Sequence, residues 1–178
     1  MSSAYPNVMV VDYVKKARVA NPQLLMKSEA FLNASYQRIL TFERPGKAGE
    51  PAGGFDWWGR DAPIVWISAY GLHFLNDTSR VYPIDRAVIN RTQQWLLKQQ
   101  DPKDGTWSNI GATHGETIVA MGNPKLLLTS YVVWSLVDSG LRGPELNKSI
   151  DFIRAEVKKD VSNTYILALA AKIGRAHV

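Results

Sequence analysis

The chain of 178 residues contains no cysteine. This absence excludes disulfide bonds, thiolate metal sites and a thiol nucleophile within the chain. It does not identify the cellular compartment, because many secreted domains also lack disulfides.

Long apolar runs and targeting signals are absent as well. The longest mostly apolar stretch, from Leu126 to Val137, is interrupted by hydroxyl side chains. A membrane-spanning helix needs about 20 apolar residues, so we expect no membrane span. The opening residues Met1 to Ala4 lack both the basic start and the apolar segment of a signal peptide.

A strong charge of one sign is also missing. Lys and Arg number 21 against 16 Asp and Glu, and no basic run exceeds the pairs Lys15-Lys16 and Lys158-Lys159. Nucleic-acid-binding domains usually cluster basic residues on one face, so we expect no nucleic-acid partner. Hydrophobic residues make up 46% of the chain, which excludes wholesale disorder and favours one domain with a sizeable core.

What the sequence does contain is a series of helical patterns. Two Gly- and Pro-rich segments, 44–54 and 101–124, are predicted to be loops. Residues 8–11 also fit a short strand, but the pattern continues as a helix. We therefore predict an all-α chain of about seven helices, over residues 8–19, 23–43, 62–76, 84–100, 126–139, 144–157 and 162–172.

The predicted helices repeat in pairs of about 60 residues. Amphipathic helices carry Tyr36, Trp95 and Phe152 at equivalent positions, and more apolar helices carry Tyr70 and Tyr131. A loop with glycine and an aromatic residue precedes two of the apolar helices: Gly53 to Gly59, and Asp104 to Trp107. Outer amphipathic helices around inner apolar ones indicate an α/α-toroid, an incomplete ring of helical hairpins. An ordinary helical array with open ends is the alternative.

Few residues are candidates for reactive chemistry. His73 lies within an apolar helix and is expected to be a core histidine with satisfied nitrogens. His114 lies between Gly111 and Gly115, which favour an exposed, sharply turned loop, and imidazole is suited to nucleophile or base work near neutral pH. No two histidines have the helical spacing of a metal site. We expect no metal and no cofactor.

The carboxylates form no catalytic pair. We interpret them as cap or turn residues: Asp56, Asp61, Asp101 and Asp104. The segment from Trp95 through Gln100 to Trp107 resembles a repeat of α/α-toroid families, including terpene cyclases, in which the glutamine caps a helix end and stacks on the aromatic residue. The dense acidic motif that a terpene cyclase needs for magnesium is not present.

Taken in order, these motifs resemble the thioester-containing domain of bacterial alpha-2-macroglobulin-like proteins, over about residues 2 to 172. The resemblance implies an α/α-toroid and a protein that is not an enzyme. It is carried by Ser2 to Val8 with Asp12-Tyr13, Tyr36 to Leu40, Gly53 to Gly59, Ala69 to Leu72 and Arg91 to Leu97.

The resemblance also implies a mechanism, protease trapping. In that family a protease cuts a bait region elsewhere in the protein, and an internal Cys–Gln thioester then captures lysine or hydroxyl groups of the target. The Cys and Gln would lie immediately before Ser2, so tethering requires a parent protein that carries them. In related complement proteins a histidine about a hundred residues downstream first accepts the acyl group, and His114 is at the matching place. The implied partners are target proteases and other domains of the parent, in the periplasm, at the cell envelope or outside the cell.

The last residues break the expected pattern. One reverse translation of Ile173 to Val178, ATC GGA AGA GCA CAC GTC, resembles a sequencing adapter. We therefore expect residues 1–172 to be a partial domain, truncated at both ends, and residues 173–178 to be a non-native tail. Missing helices would leave apolar faces exposed, so we expect poor solubility or self-association. The alternatives are a fragment of an α/α-toroid enzyme, of the terpene cyclase or polysaccharide lyase type, and a non-catalytic helical-repeat binding module.

Overall fold

The computed structural model describes residues 4–17, 21–45, 52–108, 123–159 and 162–177. Within these ranges, two strands of two residues, β1 (Glu43–Arg44) and β2 (Gly54–Phe55), and a short 3-10 helix (Pro144–Leu146) accompany the α-helices. The helices are α1 (Tyr5–Lys16), α2 (Pro22–Leu40), α3 (Val65–Val81), α4 (Arg86–Lys98), α5 (Pro124–Asp138), α6 (Asn147–Lys159) and α7 (Thr164–His177).

Four helices form an inner row in the order α1, α3, α5, α7, and each packs on its neighbours in the row. Contacts near the helix ends indicate that α1, α3 and α5 run in the same direction. Lys15 Nζ near the end of α1 donates to the carbonyl of Val81 at the end of α3, 2.7 Å away. Asn76 of α3 likewise donates to both the carbonyl and the carboxylate of Asp138 at the end of α5. Most residues of α3 and α5 are buried.

The remaining helices form an outer layer, with α2 packed on α1, α4 on α3, and α6 on both α5 and α7. Each buries one face: Tyr36 of α2 and Trp95 of α4 point into the core, and Phe152 of α6 is half-buried against it. The predicted double layer of inner and outer helices is confirmed. Since α1 and α7 end the inner row without packing extensively on each other within the described residues, the ring is an incomplete α/α-toroid.

Asparagine and proline define two helix starts. Asn21 Oδ1 accepts the N–H of Leu24 at 3.0 Å, and Asn123 Oδ1 accepts the N–H of Leu126 at 3.0 Å. In both cases proline follows the asparagine, at the position where its missing N–H removes no helical hydrogen bond. The predicted cap at Asn21 is confirmed, and α5 begins at Pro124, two residues before the predicted start.

The predicted boundaries at the two ends of the chain were wrong. Helix α1 begins at Tyr5 and not at Val8, because Pro6 is accommodated in the first turn, and the possible strand over residues 8–11 is helical. At the other end, α7 does not stop at Lys172 but continues to His177, with Ile173 buried in the core. The non-native origin of residues 173–178 stays a prediction.

The strands were also missed, since the segment from 44 to 54 was predicted to be loop throughout. Strands β1 and β2 pair antiparallel, with Glu43 opposite Phe55 and Arg44 opposite Gly54. Two residues are too few to show the alternation by which a strand is recognised in sequence. Arg91 of α4 holds the strand pair to this helix, because its guanidinium donates two hydrogen bonds to the carboxylate of Glu43.

Candidate functional site

The two glycine–aromatic loops are structurally equivalent. Phe55 and Trp107 are both fully buried. The backbone N–H of Phe55 donates to Ser68 Oγ of α3 at 2.8 Å, and that of Trp107 donates to Thr129 Oγ1 of α5 at 3.2 Å. Each loop is therefore fixed to the inner helix that follows it by a hydrogen bond to one hydroxyl group. The sequence repeat thus corresponds to a hydrogen bond that recurs at equivalent positions.

Gln100 connects successive hairpins. Its Nε2 donates to the carbonyls of Gly105 and Glu145 and to Ser149 Oγ, at 2.8 to 3.1 Å. The side chain of Gln100 thus reaches across to the start of α6. Gly105, with φ +73°, packs directly on Lys148 and Ser149 there.

Both loops lie at the end of the toroid where the inner helices begin. Ala4, just before α1, lines a cavity together with Trp66 and Ile67 from the first turn of α3. Asn123 begins α5 at the same end, since α3 and α5 run in the same direction. Chain segments that enter through Ala4 or Asn123 therefore join the fold at one common end.

The residue proposed from the sequence as reactive, His114, lies outside the described residues, in the segment 109–122. Its segment leaves the described structure after the buried Trp107 and the exposed Ser108, and returns at the cap Asn123. Both points of attachment are fixed by hydrogen bonds to α5.

Asp56 organises the loop between β2 and α3. Its carboxylate is buried and accepts the backbone N–H groups of Trp57, Trp58, Arg60 and Asp61, at 2.6 to 3.3 Å. Burial alone would raise the pKa of Asp56, but the four donors outweigh it and the pKa is lowered. The predicted turn role of Asp56 is confirmed, and the turn leaves Trp58 73% exposed.

The same cavity extends beside this loop to the end of α2 and has a volume of about 530 Å³. Its wall is largely aromatic and is completed by Arg38 and the buried Asp56. Trp66 meets Trp57 edge to face, with ring centroids 5.1 Å apart. The indole Nε1–H of Trp66 is buried and has no acceptor among the described residues, an arrangement that typically costs about 1 to 3 kcal/mol.

Sequence reasoning did not find this cavity, because its wall combines four separate chain segments. One signal was available: the pair Trp57-Trp58 stands within a glycine-rich loop, where two large aromatic side chains are unusual.

His73 is buried between α3 and α5, as predicted, but it is not satisfied. Its ring lies 3.8 Å from the Trp134 ring, centroid to centroid. Its Nδ1 is 3.9 Å from Asp138 Oδ2, too far for a hydrogen bond, and its Nε2 is buried with no partner among the described residues. Burial lowers the pKa of His73 to about 4. The nearby Asp138 carboxylate opposes this change, and the cations Lys172 and Arg80 reinforce it.

Asp101 and Asp104 also act in turns. Asp101 Oδ1 accepts the N–H of Lys103, and Asp104 accepts both the N–H and the hydroxyl of Thr106. The ammonium of Lys125, 2.6 Å away, is the main reason that the pKa of Asp104 falls to about 2. Across the described ranges, no three His, Asp or Glu side chains are grouped so that they would hold a metal ion.

These features define a class of protein, the helical-hairpin toroids whose inner helices begin at one common end. Comparison with known sequences gives the family. The model of the A-macroglobulin TED domain matches residues 1–173, and the chain belongs to this family. The resemblance read from the sequence is confirmed at the level of the family and of the fold.

Individual relatives agree with this assignment. The chain is 24% identical over 168 residues to ovostatin of Gallus gallus, and 21% identical over 170 residues to thioester-containing protein 1 allele R1 of Anopheles gambiae. Each alignment covers 93% of this chain, but only 11% and 12% of the respective relative. The chain thus spans about a ninth of the length of these relatives.

Family membership decides between the classes left open by the sequence. A TED domain of the macroglobulins is part of a non-enzymatic protein, so the cyclase and lyase alternatives are not retained. Separately, no described helix combines the length and the apolar character that crossing a bilayer requires.

Proposed function

We propose that this chain is the thioester-type domain of a macroglobulin that traps proteases. The observation that carries the proposal is the family match over residues 1–173, which includes every described hairpin of the toroid. The target proteases would meet the domain only through the parent protein, in which other domains carry the bait region.

In this proposal the reactive groups come together at the end where the inner helices begin. The Cys–Gln pair would precede Ser2 in the parent, close to Ala4, and His114 belongs to the segment that returns at Asn123. Both segments attach to the same end of the described fold, which is the arrangement that acyl transfer between them requires.

The acyl group would be transferred in two steps. The imidazole of His114 attacks the glutaminyl carbonyl carbon, the carbon–sulfur bond breaks, and the cysteine leaves as a thiolate. A target hydroxyl then attacks the acyl-imidazole and forms an ester, while the thiolate takes up the proton of the hydroxyl. Without the histidine step, a lysine amine would attack the thioester directly and form an amide.

The proposed setting is a bacterial periplasm or cell envelope, or the extracellular space, where a protease trap meets foreign proteases. This setting follows from the resemblance to bacterial macroglobulins, although the relatives described above are animal proteins.

The test uses the parent protein and trypsin. Trypsin treatment should give conjugates that survive denaturation and that disappear when methylamine, a small amine that opens thioesters, is added first. In the variant His114→Ala, the conjugates cleaved by hydroxylamine, which are esters, should be lost while the amide conjugates remain.

His73→Leu is the control, because His73 is a histidine within the same domain that has no role in the proposal, and it should leave the ester fraction unchanged. An ester fraction that is unaffected by His114→Ala would overturn the assigned role of His114. Absence of any protease capture by the parent would overturn the trap itself.

A further inference from the structure

The cavity beside the Asp56 loop has the size and lining of a small-molecule site. Its volume of about 530 Å³ falls within the range of about 300 to 1,000 Å³ that is typical of such sites. Four aromatic rings from two segments form much of its wall: Phe42, Trp66, Tyr70 and Phe74. Such a wall favours an aromatic or branched apolar group.

One polar side chain in the wall, Arg38, carries a charge without a partner. Arg38 lines the cavity from α2, and its exposed guanidinium forms no ion pair with any described residue. The guanidinium has only N–H donors, which an oxygen acceptor would satisfy. The Trp66 indole N–H takes no part, because it is buried even from a water-sized molecule.

Asp56, which also lines the cavity, does not compete for the guanidinium. Its two oxygens already accept four backbone N–H groups of its own loop. The cavity therefore presents one unpaired positive charge. This charge disfavours a cationic ligand and favours an anion with planar oxygens, because guanidinium pairs well with carboxylate.

We propose that the cavity binds a small organic carboxylate that carries an aromatic or branched apolar group. The apolar group packs among the rings, and the carboxylate pairs with Arg38. This binding requires neither the thioester nor His114. The proposal therefore goes beyond the protease trap, and its test does not depend on whether the parent traps proteases.

The first experiment compares two probes on the full 178-residue chain, 4-phenylbutyrate and its neutral counterpart 4-phenylbutanamide. The chain has six tryptophans, so ¹H–¹⁵N spectra contain an indole signal for Trp66 that can be assigned with Trp66→Phe. We expect the acid to shift this signal and to bind at least about fivefold more tightly than the amide.

The second experiment removes the charge. Arg38→Met keeps an apolar stem but no guanidinium, and it should weaken binding of the acid by about fivefold or more, to the level of the amide. Arg86→Met is the matched control: Arg86 is an exposed arginine in the first turn of α4 and does not line the cavity. It should leave the affinity unchanged.

Several results would overturn the proposal. These are equal affinity for acid and amide, an unmoved Trp66 signal at saturation, an equal loss in both arginine variants, and no binding of the acid up to about 10 mM. Urea unfolding of Arg38→Met confirms that a loss of binding is not a loss of fold, since this side chain is exposed.

Discussion

The indole Nε1 of Trp107 donates a hydrogen bond to the carbonyl oxygen of Leu96, 2.8 Å away, and both residues are fully buried. Trp107 belongs to the loop that leads towards α5, and Leu96 to the last turns of α4. The Trp107 side chain thus joins the end of the outer helix α4 to the loop that precedes the inner helix α5. A toroid built of helical hairpins requires such a connection between outer and inner layers at every repeat.

We expect Trp107→Phe to lower the free energy of unfolding by about 2 to 4 kcal/mol, because it removes this hydrogen bond and leaves a void in the core. Urea unfolding followed by circular dichroism measures the loss. Trp58→Phe, at a site 73% exposed, should change stability by less than about 0.5 kcal/mol. Equal effects at the two sites would contradict the structural role of Trp107.

Gly105 should tolerate substitution less well than Gly140. Both have positive φ, +73° and +94°, but a Cβ at Gly105 would lie 2.7 Å from Lys148 Cβ, whereas nothing lies within 4 Å of one at Gly140. Alanine at either site incurs a backbone cost of about 1 to 2 kcal/mol. Gly105→Ala should lose about 1 to 3 kcal/mol more, from overpacking against α6. Thermal unfolding compares the two variants, and a smaller loss at Gly105 would argue against the close contact.

Acid should destabilise the chain through His73. In the unfolded chain this imidazole takes up a proton below about pH 6.5, but in the folded chain its pKa is about 4. Since the unfolded state binds more protons in this window, stability falls as the pH falls from about 6.5 towards 4. Between pH 7.5 and pH 5 the expected loss is about 2 kcal/mol.

The control for this prediction is His73→Leu, which cannot titrate and should make urea unfolding less dependent on pH over the same range. Asp56 and Asp104 have lowered pKa values. Their contributions are therefore lost only below about pH 4, outside the window. An unchanged pH dependence in His73→Leu would show that another group is responsible.

Self-association, expected from the sequence, can now be assigned to particular residues. Met9 and Tyr13 are 68% and 66% exposed, four residues apart on α1 at one end of the inner row. We expect sedimentation velocity to detect concentration-dependent association that is reduced in Met9→Lys/Tyr13→Lys. Lysine substitution of the exposed Ala87 on α4 is the control. A monodisperse monomer of the unchanged chain would contradict the prediction.

Much of the fold was predictable because helical periodicity and the equivalence of Tyr36 with Trp95 reflect burial against one shared core. The cap at Asn21 was predictable for a local reason, because the two residues Asn21-Pro22 are enough to specify a helix start. What could not be predicted depends on distant partners. Gln100 finds its acceptors some 45 residues away at Glu145 and Ser149, and no local pattern contains that information.

The same distinction between local and distant partners holds for the candidate site. The role of Asp56 is local, within five residues of the chain, and was predicted. The aromatic ring of Trp66 and the unpaired Arg38 line one cavity only in the folded chain. His73 was correctly predicted to be buried, but its unsatisfied nitrogen was not predicted.

The central claim is that the domain serves a protease trap, and protease activity in the presence of the parent protein tests it most directly. In the proposed trap the protease is held through lysine or hydroxyl groups on its surface, so that its active site stays open to small molecules. Trypsin mixed with excess parent should therefore keep its activity on a small chromogenic peptide while losing most of its activity on a large substrate such as casein. Full activity on both substrates, or equal loss on both, would contradict the claim.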